Sequence, residues 1–270
     1  MKNFFIFNNH RYAKEKSISI FDLGFSRGYG IFDLFCSYSG KIFALEDHFE
    51  RFRNSAEKIK LFLPYSKNDL ESIIHTLLKK NHLSDARIKM ILTKGEEHSK
   101  KNNFYILTAP GYSYPKEDYE KGIHAKTLFY RRFLPECKTL FYLPSLLEME
   151  EESTVKEILF IDEKKQILEG STSNFFGIKN QTIFTANKNI LPGVTRKILL
   201  KEIKDYPVVQ RPIRLKEIQN LDEAFITSSV RHVMPVVQID HTIINNRKPG
   251  PITCRLMNLI KTKKGIEKTN

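Results

Sequence analysis

The segment ILEGSTSNFFGI, residues 167–178, places a carboxylate inside an otherwise apolar run. Glu169 is followed by four small polar residues, from Ser171 to Asn174, where a core strand would carry hydrophobic side chains. A carboxylate that is withdrawn from water needs a cation or a strong hydrogen-bond donor beside it. The segment therefore predicts a site at which a buried negative charge meets a positively charged group.

A candidate nucleophile is Lys138, in the segment PECKTLFYLPSLLEMEEE. It lies where irregular chain meets a predicted helix, and Cys137, Leu140 and Phe141 flank it. Partial withdrawal from water lowers the pKa of a lysine, so that a neutral amine is available to attack a carbonyl. The alternative is a surface lysine whose ammonium stays in water. Composition does not decide between them, because Lys and Arg together number 44.

A candidate phosphate site lies in NILPGVTRKILL, residues 189–200. A Pro-Gly turn precedes a helix that opens with Val194 and Thr195. The first N–H groups of a helix lack intrahelical partners and carry partial positive charge, so they can hold a phosphate. The alternative is that Thr195 is an ordinary N-cap.

Hydroxyl groups at the end of a predicted strand supply further anion-binding candidates. The segment EAFITSSVRHVMPVVQID carries Thr227, Ser228 and Ser229 in succession. These residues either bind a second side of an anion or form a turn with local bonds between side chain and backbone.

An arginine in the helix HFERFRNSAEKIKL lies off the stripe of phenylalanines that this helix buries. The planar fork of Arg51 suits bidentate contact with a phosphate, although a solvated arginine is the alternative. We expect a structural role for His48 in the same helix.

Together these candidates make up the parts of a pyridoxal phosphate site. The lysine forms a Schiff base, and the carboxylate pairs with the protonated pyridine nitrogen, which keeps the ring an electron sink. The phosphate needs the helix start, the hydroxyl groups and the arginine.

Hydrophobic periodicity predicts the elements that carry these residues. Helical spacing indicates helices at 46–63 and 67–81, and a hairpin turns at Ser39-Gly40. The segment PGYSYPKEDYEKG has the composition of a linker. Strands and helices mix without strict alternation, which favours two α+β domains. The predicted domains are 1–111 and 123–270, joined by a linker at 112–122, with the lysine in the second domain.

Composition excludes several other classes. The 270 residues carry a formal charge of +13, and the three cysteines suggest neither a disulfide framework nor a zinc site, so no metal is expected. No apolar run has the length of a membrane span, and the apolar run at the N-terminus is too short for a signal peptide, so we expect a cytoplasmic protein. The charges are scattered apart from the tail KTKKGIEK, which we expect to be solvated. No nucleic-acid-binding motif is present, and a pocket for anionic small molecules is expected instead.

The sequence resembles the class IV aminotransferase family, the fold type IV enzymes that include D-amino acid and branched-chain aminotransferases and aminodeoxychorismate lyases. Six segments carry the resemblance, in the family's order: DLGFSRGYGIFDLF, HFERFRNSAEKIKL, KTLFYLP, LEGSTSNFF, LPGVTRKIL and DEAFITSSVRHVMPVVQID. The resemblance implies a two-domain α+β fold with pyridoxal 5'-phosphate between the domains, and a homodimer that shares substrate contacts.

The resemblance also implies roles for individual residues. Lys138 would be the Schiff-base lysine and proton shuttle, and Glu169 would pair with the pyridine nitrogen. The other implied contacts are Arg51, Val194, Thr195, Ser228 and Ser229 with the phosphate, Ser173 and Asn174 in the polar lining, and Tyr29 and Phe32 on the substrate side.

The reaction itself has two candidates. In ILTKGEEHS, Lys94 stands where family members often have an arginine for the substrate carboxylate, and His98 lies close by. The R-G-Y and H-L-N-R-like hallmarks of the lyases are absent, which favours amino transfer between a small D- or branched-chain amino acid and a 2-keto acid. However, Phe141 stands where aminotransferases often have asparagine. A lyase that releases pyruvate and 4-aminobenzoate from aminodeoxychorismate is the alternative, and a non-catalytic basic binding protein is the rival from another class.

Overall fold

The computed structural model describes residues 4–15 and 17–264. These residues divide into two compact units. The first comprises the chain up to Tyr112 together with Cys137–Phe141, and the second comprises Ser113–Glu136 and the chain from Tyr142 onward. The short segment that carries Lys138 therefore belongs to the first unit, whereas the predicted domain boundaries place it in the second.

The first unit is an antiparallel sheet covered by helices. Its strands are β1 (Ile6–Asn8), β2 (Arg11–Ala13), β3 (Gly30–Tyr38), β4 (Lys41–Ile42), β5 (Ala86–Thr93) and β6 (Asn103–Pro110). Its helices are α1 (Leu23–Arg27), α2 (Leu45–Lys58) and α3 (Lys67–Lys80). Among the described residues the strand order is β2-β1-β6-β5-β3-β4. Buried side chains of α2 and α3, such as Phe52 and Leu70, share a core with the strands.

Local sequence explains how these elements begin and end. The β3–β4 hairpin turns at Ser39 and Gly40, both with positive φ, which matches the right-handed twist of the paired strands. Ser66 and Asp69 form a capping box at the start of α3. The predicted helix at 46–63 ends sooner, at Lys58, because Lys60 adopts a left-handed φ of 58° and the backbone turns away.

The second unit contains a larger, mixed sheet. Its strands are β7 (Ile123–Phe129), β8 (Val155–Ile161), β9 (Gln166–Gly170), β10 (Asn174–Lys179), β11 (Thr182–Phe184), β12 (Val208–Val209), β13 (Ile213–Arg214), β14 (Glu223–Ser228), β15 (His232–Ile239) and β16 (Thr242–Ile243). Its helices are α4 (Lys116–Lys121), α5 (Leu143–Glu151), α6 (Val194–Glu202) and α7 (Pro251–Lys263), with 3₁₀ turns at Leu215–Asn220 and Asn245–Arg247. In the described chain the order is β12-β11-β10-β14-β15-β7-β8-β9-β13, and β16 pairs with β15.

Two predicted elements differ from the structure of this unit. The predicted linker at 112–122 contains the short helix α4. This helix begins directly after Pro115 and ends directly before Gly122. The segment VVQRPI, which has the composition of a single strand, divides into β12 and β13, and Pro212, which has no N–H to donate, lies between them. In the described parts of the chain, no helix has both the length and the apolar character required to cross a membrane.

Candidate active site

The backbone of Lys138 is held against the start of β3 in the first unit. The Lys138 carbonyl accepts a hydrogen bond of 2.9 Å from the Phe32 N–H, and the Leu140 N–H donates to the Gly30 carbonyl over 3.1 Å. Ile31 and Thr139 form an isolated antiparallel bridge between these two bonds. The irregular segment is thus fixed at Lys138 and at Leu140, which gives the lysine side chain a defined origin.

The Lys138 side chain extends over an aromatic ring that it shares with a second lysine. The Lys138 Nζ lies 4.7 Å from the centroid of the Phe32 ring, and the Lys89 Nζ lies 4.9 Å from the same centroid. Burial and the charge of Lys138 lower the pKa of Lys89. Lys89 was not among the residues predicted for the site, although a lysine within the apolar strand RIKMILTK was a signal.

A buried charge cluster lies beside this segment and contains the predicted phosphate ligand Arg51. The Arg51 Nε and Nη2 donate to the two carboxylate oxygens of Asp33, each over 2.8 Å. The His48 Nδ1 lies 2.8 Å from the same carboxylate, in agreement with the structural role expected for His48. Burial alone would raise the pKa of Asp33, but the charges and hydrogen bonds of Arg51 and His48 lower that pKa well below its usual range.

Helix α2 links this cluster to the lysine segment. The Ser55 hydroxyl donates to the Arg51 carbonyl over 2.8 Å and accepts a bond of 3.4 Å from the Lys138 N–H. The guanidinium plane is therefore fixed by Asp33, and the helix that carries it contacts the Lys138 backbone.

The predicted substrate residues occupy the same end of this sheet. The Tyr29 hydroxyl donates to the Ile59 carbonyl over 3.0 Å, and the Lys94 N–H donates to the Tyr29 carbonyl over 3.1 Å. The structure thus brings together Phe32 in β3, Tyr29 just before β3 and Lys94 just after β5. His98 is exposed and lines a surface cavity of about 520 Å³ with Phe21 and other residues.

In the second unit, Glu169 is buried at the end of β9 and forms an ion pair. Its side chain is 3% exposed. The Arg132 Nε donates to Oε1 over 2.9 Å, Nη2 donates to the same oxygen over 2.5 Å, and the Leu191 N–H donates to Oε2 over 2.9 Å. A positively charged partner was predicted for this carboxylate, but Arg132 was not identified as that partner. Arg132 lies just beyond the end of β7. The adjacent pair Arg131-Arg132 was the available signal.

Three of the four polar residues after Glu169 contact a second carboxylate. The hydroxyls of Ser171, Thr172 and Ser173 donate to Glu157. Asn174 contacts the next loop instead, and its amide donates to the Leu191 carbonyl over 2.9 Å.

The start of α6 has the features of an anion cradle. Its N-cap is Gly193, which makes no side-chain cap bond, so the alternative of a Thr195 N-cap does not hold. Thr195 lies buried in the first turn. A Cβ atom at Gly193 would lie 1.9 Å from the Asn174 Oδ1, so the glycine allows the backbone to approach Asn174 closely.

Ser228 and Ser229 lie at the turn between β14 and β15. In the described chain the neighbouring Thr227 hydroxyl is buried and has no hydrogen-bond partner. The Ser228 Oγ accepts a bond of 3.1 Å from the Arg231 N–H, so the local bonding considered for this stretch does occur at Ser228. The Ser229 carbonyl accepts a bond of 3.1 Å from the Lys264 ammonium.

Lys264, in the predicted solvated tail, is buried against this turn. Its Nζ lies 2.5 Å from the His232 Nδ1, and the tail beyond it lies outside the described residues. Because an ammonium only donates, the His232 Nδ1 must accept, which requires an unprotonated nitrogen. Burial, together with the charges of Lys264 and Lys261, lowers the pKa of His232 to about 3.

This lowered pKa predicts a pH dependence of stability. Between the ordinary pKa of 6.5 and about 3, the unfolded chain binds a proton that the folded chain does not, so the free energy of unfolding falls as the pH falls. The slope contributed by His232 is at most about 1.4 kcal/mol per pH unit. We expect His232→Asn, which tolerates the left-handed φ of 62°, to flatten the dependence in urea unfolding between pH 7 and 4.5.

The exposed His75 offers the matched control, since His75→Gln should leave the slope unchanged. An unchanged slope in the His232→Asn variant would contradict the assignment.

Comparisons with known proteins identify the family of this chain. The profile of the family described as amino-transferase class IV matches residues 30–239. The chain is 32% identical to D-alanine aminotransferase of Staphylococcus haemolyticus, over 90% of each chain. It is 31% identical to a provisionally named branched-chain-amino-acid aminotransferase of Methanocaldococcus jannaschii, over 97% of this chain and 98% of the relative.

The fold is that of solved fold type IV enzymes, which confirms the predicted fold class. The structure of a branched-chain amino acid aminotransferase from T.th. with pyridoxamine 5'-phosphate superposes with a TM-score of 0.91 at 23% identity, covering 99% of this chain and 96% of that one. Both sequence relatives are named for amino transfer, which favours the predicted transferase over the lyase. The chain belongs to the class IV amino-transferase family.

Proposed function

We propose that this protein uses pyridoxal 5'-phosphate to transfer an amino group between a small D- or branched-chain amino acid and a 2-keto acid. The named activities of the two relatives support the substrate class. The observation that carries the proposal is the fixed position of Lys138, whose backbone is bonded to β3 and whose amine lies over the ring of the predicted substrate residue Phe32.

Each unit, taken by itself, offers residues that fit chemical groups of this cofactor. In the second unit, the uncapped start of α6 and the partnerless Thr227 hydroxyl offer donors for a phosphate, together with Ser228 and Ser229. In the first unit, we assign the phosphate contact of the guanidinium to Arg51, which Asp33 holds in place. Glu169 supplies the negative charge that a protonated ring nitrogen requires, and Ser173 and Asn174 lie in the polar run that follows Gly170.

Each residue then has a defined task. When bound, pyridoxal phosphate supplies an electron sink for the negative charge at the substrate α-carbon. The Lys138 amine removes the α proton, which requires a neutral amine. Arg132 holds the Glu169 carboxylate in one orientation. Lys94 offers a point charge to the substrate carboxylate, while Tyr29 and Phe32 contact the substrate.

We further propose a homodimer in the cytoplasm. The first unit exposes Ile20, Phe21 and Phe25, each at least 65% accessible, close together in the chain. An apolar cluster of this kind is typical of a surface that another subunit covers. Sedimentation velocity would detect the dimer, and a monomer at micromolar concentration would contradict it.

The function is tested by cofactor uptake and an amino-donor assay. Titration of the purified protein with pyridoxal phosphate should produce a visible absorption band, and borohydride should attach the cofactor to Lys138. A panel of D- and L-amino acids with 2-keto acids should then reveal amino transfer. Absence of cofactor uptake would refute the proposal, and release of pyruvate from aminodeoxychorismate without amino transfer would assign the lyase reaction instead.

A further inference from the structure

A second buried carboxylate in the second unit has no role in the proposed reaction. Glu157, in β8, is 0% exposed. It accepts hydrogen bonds from the hydroxyls of Ser171 over 2.5 Å, of Thr172 over 2.9 Å and of Ser173 over 2.8 Å. These three residues, named here the 171–173 loop, connect β9 to β10. All three hydroxyls of the loop thus donate to the same carboxylate.

The same carboxylate is also bound by an arginine from another part of the chain. The Arg231 Nη1 donates to the Glu157 Oε2 over 2.8 Å, and Nη2 donates to the Lys156 carbonyl over 2.9 Å. Arg231 belongs to residues 229–231, named here the 229–231 turn, which connects β14 to β15. The Arg231 N–H also bonds to the Ser228 Oγ, so the side chain and backbone of one residue fix this turn.

Glu157 therefore joins two segments that are far apart in sequence, each adjacent to proposed cofactor ligands. The 171–173 loop begins two residues after Glu169, and the 229–231 turn contains Ser229 and follows Ser228. The packing leaves little room for other loop conformations. A Cβ atom at Gly170 would lie 2.2 Å from the Ser173 Oγ and 3.0 Å from the Glu157 Cδ.

The energetics favour a positioning role over a purely stabilising one. A buried ion pair gains little net stability, because the desolvation of both charges opposes their attraction. A buried polar network in which the members are hydrogen-bonded does, however, select one arrangement of the groups around it. Here that arrangement includes both segments that flank the proposed cofactor ligands.

We propose that Glu157 is a positioning residue that holds the 171–173 loop and the 229–231 turn together in the conformation that binds the cofactor. The inference rests on the proposed function, since the ligands that it positions are assigned there. Glu157 acts through its hydrogen-bond donors and makes no contact with the reacting atoms.

The test is the variant Glu157→Gln, which keeps the size of the side chain and removes its charge. We expect the dissociation constant for pyridoxal phosphate to rise by at least about tenfold, as for the loss of a charge-assisted hydrogen bond. The visible circular dichroism of the bound cofactor should change. In the cofactor-free protein, hydrogen exchange should accelerate at both 170–174 and 227–232.

Glu223→Gln provides a matched control in the same unit. Glu223 is also a buried carboxylate, but it accepts from the N–H groups of Ile252 and Thr253 at the start of α7. It lies at the end of β14 opposite to Ser228. This variant should exchange faster near 250–254 and keep the affinity for pyridoxal phosphate, which separates positioning from general destabilisation.

A second variant keeps the test decisive if Glu157→Gln does not fold. The double substitution Ser171→Ala and Thr172→Val removes two hydroxyl donors and retains the ion pair with Arg231. It should weaken cofactor binding by a few fold and accelerate exchange at 170–174. Unchanged affinity in a folded Glu157→Gln protein, or in the double variant where Glu157→Gln is unfolded, would overturn the inference. Failure of the wild-type protein to take up the cofactor would instead overturn the proposed function.

Discussion

Replacing Lys138 with alanine is expected to reduce amino transfer by at least about a thousandfold, because both covalent attachment and proton removal depend on this amine. The absorption band of the covalently attached cofactor should disappear, and borohydride should leave no label on the chain. The structure predicts that the variant still folds, because the bonds that fix this segment are made by the backbone of residue 138 and its neighbours.

Steady-state kinetics and mass spectrometry after reduction measure this result. Lys41→Ala is a suitable control, since Lys41 is an exposed lysine in β4 of the same unit. A Lys138→Ala protein that retains the borohydride label or normal turnover would remove this lysine from its assigned role.

Glu169→Gln should keep the fold and still bind pyridoxal phosphate but lose turnover by about a hundredfold or more, a loss typical of removing one electrostatic group from a catalytic site. A neutral amide cannot hold a protonated ring nitrogen as a carboxylate does. The substitution also leaves the Arg132 guanidinium without its carboxylate, in a position where that charge is largely buried. Some loss of thermal stability should therefore accompany the loss of activity.

The cofactor absorption spectrum, the melting temperature and the turnover number separate these effects. Glu163→Gln, on the exposed β8–β9 turn, should change none of them. Turnover at the wild-type level in Glu169→Gln would show that the carboxylate has no catalytic task, whatever its effect on stability.

Local patterns were sufficient to predict most elements that carry the site. Helical periodicity placed α3 to within one residue, and the strand around Glu169 was apparent from its apolar run. The partners of the charged residues could not be predicted, because they come from distant parts of the sequence. Arg132 reaches Glu169 across 37 positions, and Arg231 reaches Glu157 across 74. Only the pairing of strands brings these side chains together.

The placement of Lys138 illustrates the same limit. Its position at the junction of irregular chain and helix follows from the sequence, yet its attachment to β3 depends on backbone bonds that leave no pattern in side chains. The domain prediction divided the chain by linear order, whereas the described contacts assign Cys137–Phe141 to the first unit. Solvation of the basic tail was also expected from charge alone, although Lys264 binds the Ser229 carbonyl and His232.

A protein can retain glycine either because the backbone conformation requires it or because a side chain would not fit. The contact between Gly193 and Asn174 is of the second kind. The backbone at residue 193 has a φ of −66° and a ψ of 130°, which any amino acid can adopt. A methyl group would nevertheless collide with the Asn174 amide oxygen. Judged by its dihedral angles alone, position 193 would accept alanine. The space beside the Asn174 side chain is nevertheless too small for the alanine methyl group. A larger residue at position 193 therefore requires the Asn174 side chain to move or to be replaced by a smaller one, whereas position 174 can change while Gly193 stays.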